Sequence, residues 1–269
     1  MSKDIVVIVP VHEFNDNVGV MLDKAVRSVP REYPIVISTT KEVIESTSLE
    51  SRIVSYNAEG INSVGIYELE DSTNFGKSDF CTLVNNAVSK TEYGWFSILE
   101  FDDTFNSIWF TNVIKYMEYM PETSIFLPLT ELTDAVTNKF IGYGNEAPWA
   151  SSFSEEIGSI DHDCLEQYFD FYMTGGVYNT KDWKDMGGLK PSIKLTFWYE
   201  LLLRYTHNEK KVYVIPKLGY NHYLNRGGSL FDYYQNNVDS DESEFWLNLA
   251  KQDYFYKTER ESETYNYKK

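Results

Sequence analysis

An α/β fold with a mixed, mostly parallel sheet flanked by helices is what the sequence predicts, from three observations. Ile5 to Val9 is an apolar, β-branched run of strand length, as expected of a parallel strand buried on both faces. Through residue 105 such runs alternate with segments whose apolar residues recur at helical spacing, as in a doubly wound sheet. Trp95 to Leu99 is a further apolar run, and it ends abruptly in Glu100, Asp102 and Asp103. A buried strand that delivers carboxylates at its C-terminal end places them where open α/β sheets bind ligands. Clustered carboxylates repel one another unless a positive charge sits among them, and a hard divalent cation is one answer. A solvated acidic turn is the plainer one.

Taken in order, Ile5–Val9 closes on Pro10 and leads into the loop 11–16. A helix follows, with Val18, Met21, Leu22, Ala25 and Val26 at helical spacing and Asn15 or Asp16 as its cap. Residues 34–38 form a second strand that ends in the hydroxyls of Ser38, Thr39 and Thr40. Arg52 to Tyr56 and Val64 to Leu69 read as two further short strands. The turn 74–79 opens a helix lined by Phe80, Leu83, Val84, Ala87 and Val88, with Ser78 or Asp79 capping it. A helix over 107–120 stops at Pro121, and 124–127 is again a strand.

From Thr130 to about Asp161 the periodicity is lost; the stretch holds Gly142, Gly144, Pro148 and Trp149. An unpatterned stretch of that length predicts a lid or a binding loop. Periodicity returns over 161–171, then in helices near 180–186 and 192–206. The latter carries Trp198, Leu201, Leu202 and Tyr205 on one face. Residues 212–215 read as a strand, 219–229 as a loop, 241–255 as a helix, and 259–269 as a frayed polar tail.

Composition narrows the function classes. Of 269 residues, 41 are acidic and 24 basic, and the net charge of −17 argues against broad affinity for phosphate backbones. The aromatic content, with 21 Tyr, 16 Phe and 6 Trp, suits stacking on flat ligands or sugar faces as well as core filling. Cys81 and Cys164 form no pattern, which predicts a reducing compartment without a disulfide framework. No signal peptide is visible, and no apolar run reaches the ~18 residues that span a bilayer. A soluble, cytoplasmic protein is expected.

The order of Val6–Val11, Asn74-Phe75-Gly76, Asn85-Asn86-Ala87, Glu100-Phe101-Asp102-Asp103, Gly175-Gly176, Gly187-Gly188-Leu189, Glu200–Arg204 and His222 resembles the GT-A glycosyltransferases. The resemblance is nearest to the family 2 type found in small bacterial and tailed-phage proteins, and covers about Ile5 to Ser229. It implies a Rossmann-like domain over 1–232, with a nucleotide-sugar half (1–129) and an acceptor half (130–232), and a helix and tail over 233–269. It implies donor binding by Pro10, Val11, His12, Thr39, Asn74 and Gly76, with Arg226 and Ser229 on phosphate oxygens. Asp102, with Glu100 or Asp103, takes the Asp-x-Asp position that holds Mn²⁺ or Mg²⁺ against the donor diphosphate, and His222 is placed as a third ligand. Trp149, Gly175, Gly176 and Trp198 fall on the acceptor side.

Two departures from the family pattern bear on mechanism. The acidic residue at the second strand end is replaced by Ser38-Thr39-Thr40, which leaves nucleotide recognition to hydroxyls, His12, Glu13 or Asp71. The acidic pair that supplies the general base of inverting members falls on Phe197-Trp198. The nearest acid, Glu200, is either that base or an i,i+4 partner of Arg204. A retaining mechanism stays open.

The resulting expectation is a metal-dependent glycosyltransferase using a nucleotide-diphosphate sugar, a UDP-sugar by preference. A hydroxymethylated base in phage DNA is the favoured acceptor and Lys181, Lys184, Lys190 and Lys194 the phosphate track. Saccharide or lipid-linked acceptors are the alternative, as is a non-catalytic nucleotide-sugar module. A nucleotidyltransferase would need a Gly-rich, basic loop after the first strand, and residues 11–16 are not one.

Overall fold

A computed structural model describes residues 4–69, 80–153 and 156–237. Among these, one nine-stranded sheet organises the chain. The first half alternates as expected apart from two helices between β2 and β3: β1 (Ile5–Pro10), α1 (Asp16–Ser28), β2 (Ile35–Thr40), α2 (Lys41–Ser46), α3 (Leu49–Ala58), β3 (Val64–Leu69), α4 (Phe80–Lys90) and β4 (Trp95–Ile98). Then come β5 (Thr104–Phe105), α5 (Trp109–Tyr119), β6 (Thr123–Asp134), β7 (Phe140–Gly144), a 3₁₀ turn (Ala147–Trp149) and α6 (His162–Gln167). The chain continues with β8 (Val177–Asn179), α7 (Thr180–Asp185), α8 (Phe197–His207), β9 (Lys211–Leu224) and α9 (Leu230–Asn237).

The strands lie in the order β3-β2-β1-β4-β8-β6-β9-β5, with β7 on β6. The β3-β2-β1-β4 half is parallel, while β8 pairs antiparallel with both β4 and β6. Successive side chains of a strand point to opposite faces, so β1 feeds two cores. Ile5, Val7 and Val9 join Leu22, Val26, Ile53 and Val113 on one face. Val6 and Ile8 join Val84, Val88, Leu201 and Leu202 on the other. All six residues of β1 are buried, which explains its unbroken apolar reading. Asn15 caps α1 by accepting from the N–H groups of Asn17 and Val18.

Four sequence expectations are corrected. Residues 52–56 lie in α3: Leu49, Ile53 and Tyr56 are buried at helical spacing, while Val54 is 67% exposed. A short apolar run does not by itself tell strand from helix. The stretch 130–161 is no unpatterned lid. Its first residues complete β6, and β7 returns antiparallel to them. Asp134 caps the intervening turn by accepting from the N–H groups of Val136 and Thr137. Beyond β7 the chain is tied down by Asn145, which donates to the carbonyls of Pro128 and Tyr172, and by the Trp149 indole, which donates to Val214.

The first part of the expected loop at 219–229 is the distal end of β9, which runs to Leu224; residues 225–229 form a loop as expected. Pro216 and Gly219 disguise the strand. The register with β6 shifts between Pro128 and Thr130, where Pro216 passes without a ladder N–H. At Gly219 a Cβ would lie 2.5 Å from the Trp109 ring, so the glycine admits a close neighbour instead of ending the strand. Lastly, the periodic stretch 161–171 contains only the short α6, and the helix expected over 192–206 begins later, as α8. The expected helix 241–255, the tail and the turn 74–79 lie outside the described residues, and α9 was not expected.

Candidate active site

The parallel half of the sheet brings the carboxyl ends of β1, β2 and β4 together: Pro10 pairs with Ser38, and Ile8 with both Val36 and Ile98. Beyond β4 the chain makes a tight turn, with the Asp103 N–H donating to the Glu100 carbonyl at 3.1 Å. Such a turn sets its first and fourth residues side by side and leaves the third at the corner. Glu100 and Asp103 are therefore neighbours, while Asp102 points elsewhere.

The strand that meets this turn is β9. Thr104 pairs antiparallel with Asn221, which brings Asp103, one residue earlier, level with His222, one residue later. The Asp103 carboxylate is 1% exposed; one oxygen lies 2.7 Å from His222 Nδ1 and the other accepts the Tyr223 N–H at 2.9 Å. Glu100, Asp103 and His222 offer ligating atoms that all lie within 4.8 Å of one another. Asp102, expected among the metal ligands, instead accepts from Arg226 Nε at 2.6 Å, and the guanidinium sits 5.0 Å above the Phe101 ring. Of the four expected ligands the structure thus groups three, because the turn directs Asp102 to Arg226.

The electrostatics of this cluster follow from burial and crowding. Burial, then the Asp103 charge, pushes the Glu100 carboxyl up to about 8. Burial and Asp103 also raise Asp102, against the opposing pull of Arg226. At His222 burial acts to lower the imidazole, but Asp103 overrides it through charge and hydrogen bond, and the value rises to about 10. Crowded carboxylates beside an imidazole are a donor set whose mutual repulsion a divalent cation would relieve, and carboxylate with imidazole suits Mn²⁺.

Sequence reasoning missed three neighbours. Tyr220 is fully buried and its hydroxyl accepts the Glu100 N–H at 3.0 Å. Thr174 hydrogen-bonds the Glu100 carboxylate, and the Tyr172 ring lies 5.5 Å from that of His222. The available signal was Tyr220 standing two residues before His222, which is invisible as a pattern when the segment is read as a loop.

The remaining expected residues divide by location. Val11 follows β1, its N–H bonded to Ser38, and the His12 ring lies 5.6 Å from that of Phe101. Thr39 is buried at the end of β2, its hydroxyl without a partner among the described residues. Asn74, Gly76 and Asp71 lie outside the described residues. Ser229 caps α9, accepting the Asp232 N–H.

Gly175 and Gly176 give room to the protein itself. A Cβ on Gly175 (φ +78°) would lie 2.4 Å from the Tyr220 ring, and one on Gly176 would lie 2.7 Å from Leu127. Trp149 wedges beside Tyr213, and Trp198 joins Tyr178, Trp183 and Phe80 in an aromatic cluster. Glu200 is held by Arg204 through two bonds, at 2.8 and 2.6 Å, and by Lys190 at 2.8 Å. Arg204 also donates to the carbonyls of Met186 and Gly188, so this ion cluster clamps the Gly187-Gly188 turn. Asn85 bonds Leu189 through both its amide groups and holds the other side of that turn.

No protein-family model and no curated protein sequence matches the chain. Solved structures do. S. aureus TarS 1–349 in complex with UDP-GlcNAc superposes with a TM-score of 0.62 at 15% identity, over 87% of this chain and 64% of that one. The mannosyltransferase PcManGT from Pyrobaculum calidifontis, in complex with GDP-Man and Mn²⁺, superposes with a TM-score of 0.56 at 12% identity, over 85% and 59%. The chain spans only 38% of the longer TarS structure, so the likeness covers one portion of that protein. At this identity the likeness is one of fold. The curled, mixed sheet with flanking helices is the GT-A type of fold that these glycosyltransferases share.

Proposed function

We propose that this protein is a glycosyltransferase that takes a sugar from a nucleotide-diphosphate donor, with a divalent cation bound at Glu100, Asp103 and His222. The observation that supports it most is the convergence of those three side chains within 4.8 Å at the carboxyl end of β4. That is the position at which open α/β sheets receive ligands. The fold neighbours bound to UDP-GlcNAc and to GDP-Man with Mn²⁺ agree with it. A cation held there would neutralise the charge that develops on the leaving diphosphate.

The chain's own residues supply the rest. Val11, His12 and Thr39 stand at the ends of β1 and β2, where the nucleotide base would lie, in the 1–129 half of the domain. Arg226, fixed by Asp102 and by the Phe101 face, holds a guanidinium beside the acidic turn, suited to phosphate oxygens. Glu200 we assign to the clamp on the Gly187-Gly188 turn, since two cations already occupy its carboxylate.

For the acceptor, each of the four lysines expected as the phosphate track of a hydroxymethylated DNA base has a partner within the protein. Lys181 pairs with Asp185 and Lys190 with Glu200, while Lys184 and Lys194 bond the carbonyls of Thr91 and Pro191. We propose instead a saccharide hydroxyl; the Tyr172 ring beside His222 supports it, since aromatic faces suit sugar rings.

The test offers UDP- and GDP-sugars, with and without Mn²⁺, to the full chain, reading thermal shift first and then transfer to glycosides, hydroxymethylcytosine DNA and unmodified DNA. We expect a Mn²⁺-dependent rise in melting temperature with one donor and transfer to glycosides. No shift with any donor would defeat the enzymatic reading, and transfer to hydroxymethylated DNA alone would reverse the acceptor assignment.

A further inference from the structure

We infer that Tyr220 is a positioning residue of the acidic site, its phenol fixing the Glu100 limb of the turn to β9, the strand that carries His222. The inference rests on the metal reading above and deepens it.

The hydroxyl of Tyr220 accepts the Glu100 N–H at 3.0 Å, while His222 Nδ1 and the Tyr223 N–H hold the Asp103 carboxylate. One short stretch of β9 therefore holds both the first and the fourth residues of the turn, and an apolar side chain at 220 could not accept the Glu100 N–H. The ring behind the hydroxyl is locked. It meets Phe105 edge-on at 5.4 Å, and Gly175 comes so close that even a methyl group there would lie 2.4 Å from the ring.

The placement follows from strand geometry. Tyr220 and His222 are two apart on β9, so they share a face of the sheet. Tyr220 stands across from Phe105 on β5 and Thr130 on β6, and no part of its side chain reaches solvent. The same stretch of β9 thus carries the imidazole and, one pleat away, the hydroxyl that holds the Glu100 limb beside it. Residues that orient metal ligands in this way are typically worth about 10–100-fold in metal affinity.

Tyr220→Phe keeps the ring and removes only the oxygen. Mn²⁺ is titrated into the full chain and into the variant, and free Mn²⁺ is followed by its electron paramagnetic resonance signal; melting temperature without metal is the control for folding. We expect binding by the parent chain and a Kd at least about tenfold weaker in the variant, in line with such supporting residues. Equal Mn²⁺ affinity in the two, whatever the change in melting temperature, overturns the inference and leaves the metal reading standing. No Mn²⁺ binding by the parent chain overturns both. If the Phe variant does not fold, 3-fluorotyrosine placed at position 220 keeps the hydroxyl and gives a fluorine signal. Mn²⁺ should broaden it strongly at one equivalent, and an unbroadened line would overturn the inference.

Discussion

At the scale of single residues, the site depends on which way each carboxylate faces. Asp102 sits at the corner of the turn and meets Arg226. Asp102→Asn removes the charge that holds that guanidinium. We expect turnover to fall by about 100-fold or more, the scale of losing one electrostatic contact in an active site, with the far-ultraviolet circular dichroism unchanged. A variant with near-parental turnover would remove Asp102 and Arg226 from the mechanism. Glu200 leads to the opposite expectation. It is buried between Arg204 and Lys190, and Glu200→Gln leaves a partly buried guanidinium underpaired. Because Lys190 is half exposed, we discount the loss to about 1–3 kcal/mol, measured by urea unfolding. A stable Glu200→Gln protein with activity reduced a hundredfold would restore Glu200 as a base.

At the scale of elements, the β6–β7 hairpin is the largest departure from the reading of the sequence. Its amides in 130–134 and 140–144 pair within the sheet. Hydrogen exchange should therefore find protection there approaching that of β9, whereas a lid would exchange within seconds. The hairpin turn also has a pH signature. Asn225 and the N–H and hydroxyl of Thr137 bond Asp134 and hold its carboxyl down at about 2. A carboxyl depressed in the folded state contributes stability that is fully present above its unfolded value, about 3.9, and is lost as pH falls through the folded one. The contribution should thus be constant from neutral pH to about 4 and disappear between about 4 and 2. Carbon-13 NMR titration of Asp134, with Asp134→Asn as the control that flattens that part of the stability curve, checks it.

At the scale of the whole molecule, the proposal of a saccharide acceptor over nucleic acid rests on the net charge of −17 and on the internal pairing of Lys181 and Lys190. Gel-shift assays with hydroxymethylated or plain duplex DNA should give no complex at micromolar protein, even at low salt where counterion release favours binding most. A salt-sensitive complex would show that the charge total hides a basic groove. The fold also predicts that the two cores share one sheet and report on each other. A cavity in either, such as Phe96→Ala, should cost about 3–5 kcal/mol in a single cooperative transition.

The sequence by itself determined the α/β class, the strands β1 to β4, most helices by their spacing though not the two between β2 and β3, and the acidic turn after β4. Each of those signals is local: a run buried on both faces, a repeat near 3.6, carboxylates at the end of an apolar strand. Only the tertiary structure decided the rest. It made Asp103 and not Asp102 the neighbour of Glu100 and His222, because a four-residue turn, and not sequence adjacency, sets who faces whom. It gave β9 its full length, since Pro216 and Gly219 read as breaks until β6 and Trp109 are seen beside them. It made Glu200 half of a clamp, because Lys190 arrives from outside the helix that suggested the pairing. And it brought Tyr220 beneath the site through pairing across more than a hundred residues, an encounter no local pattern encodes.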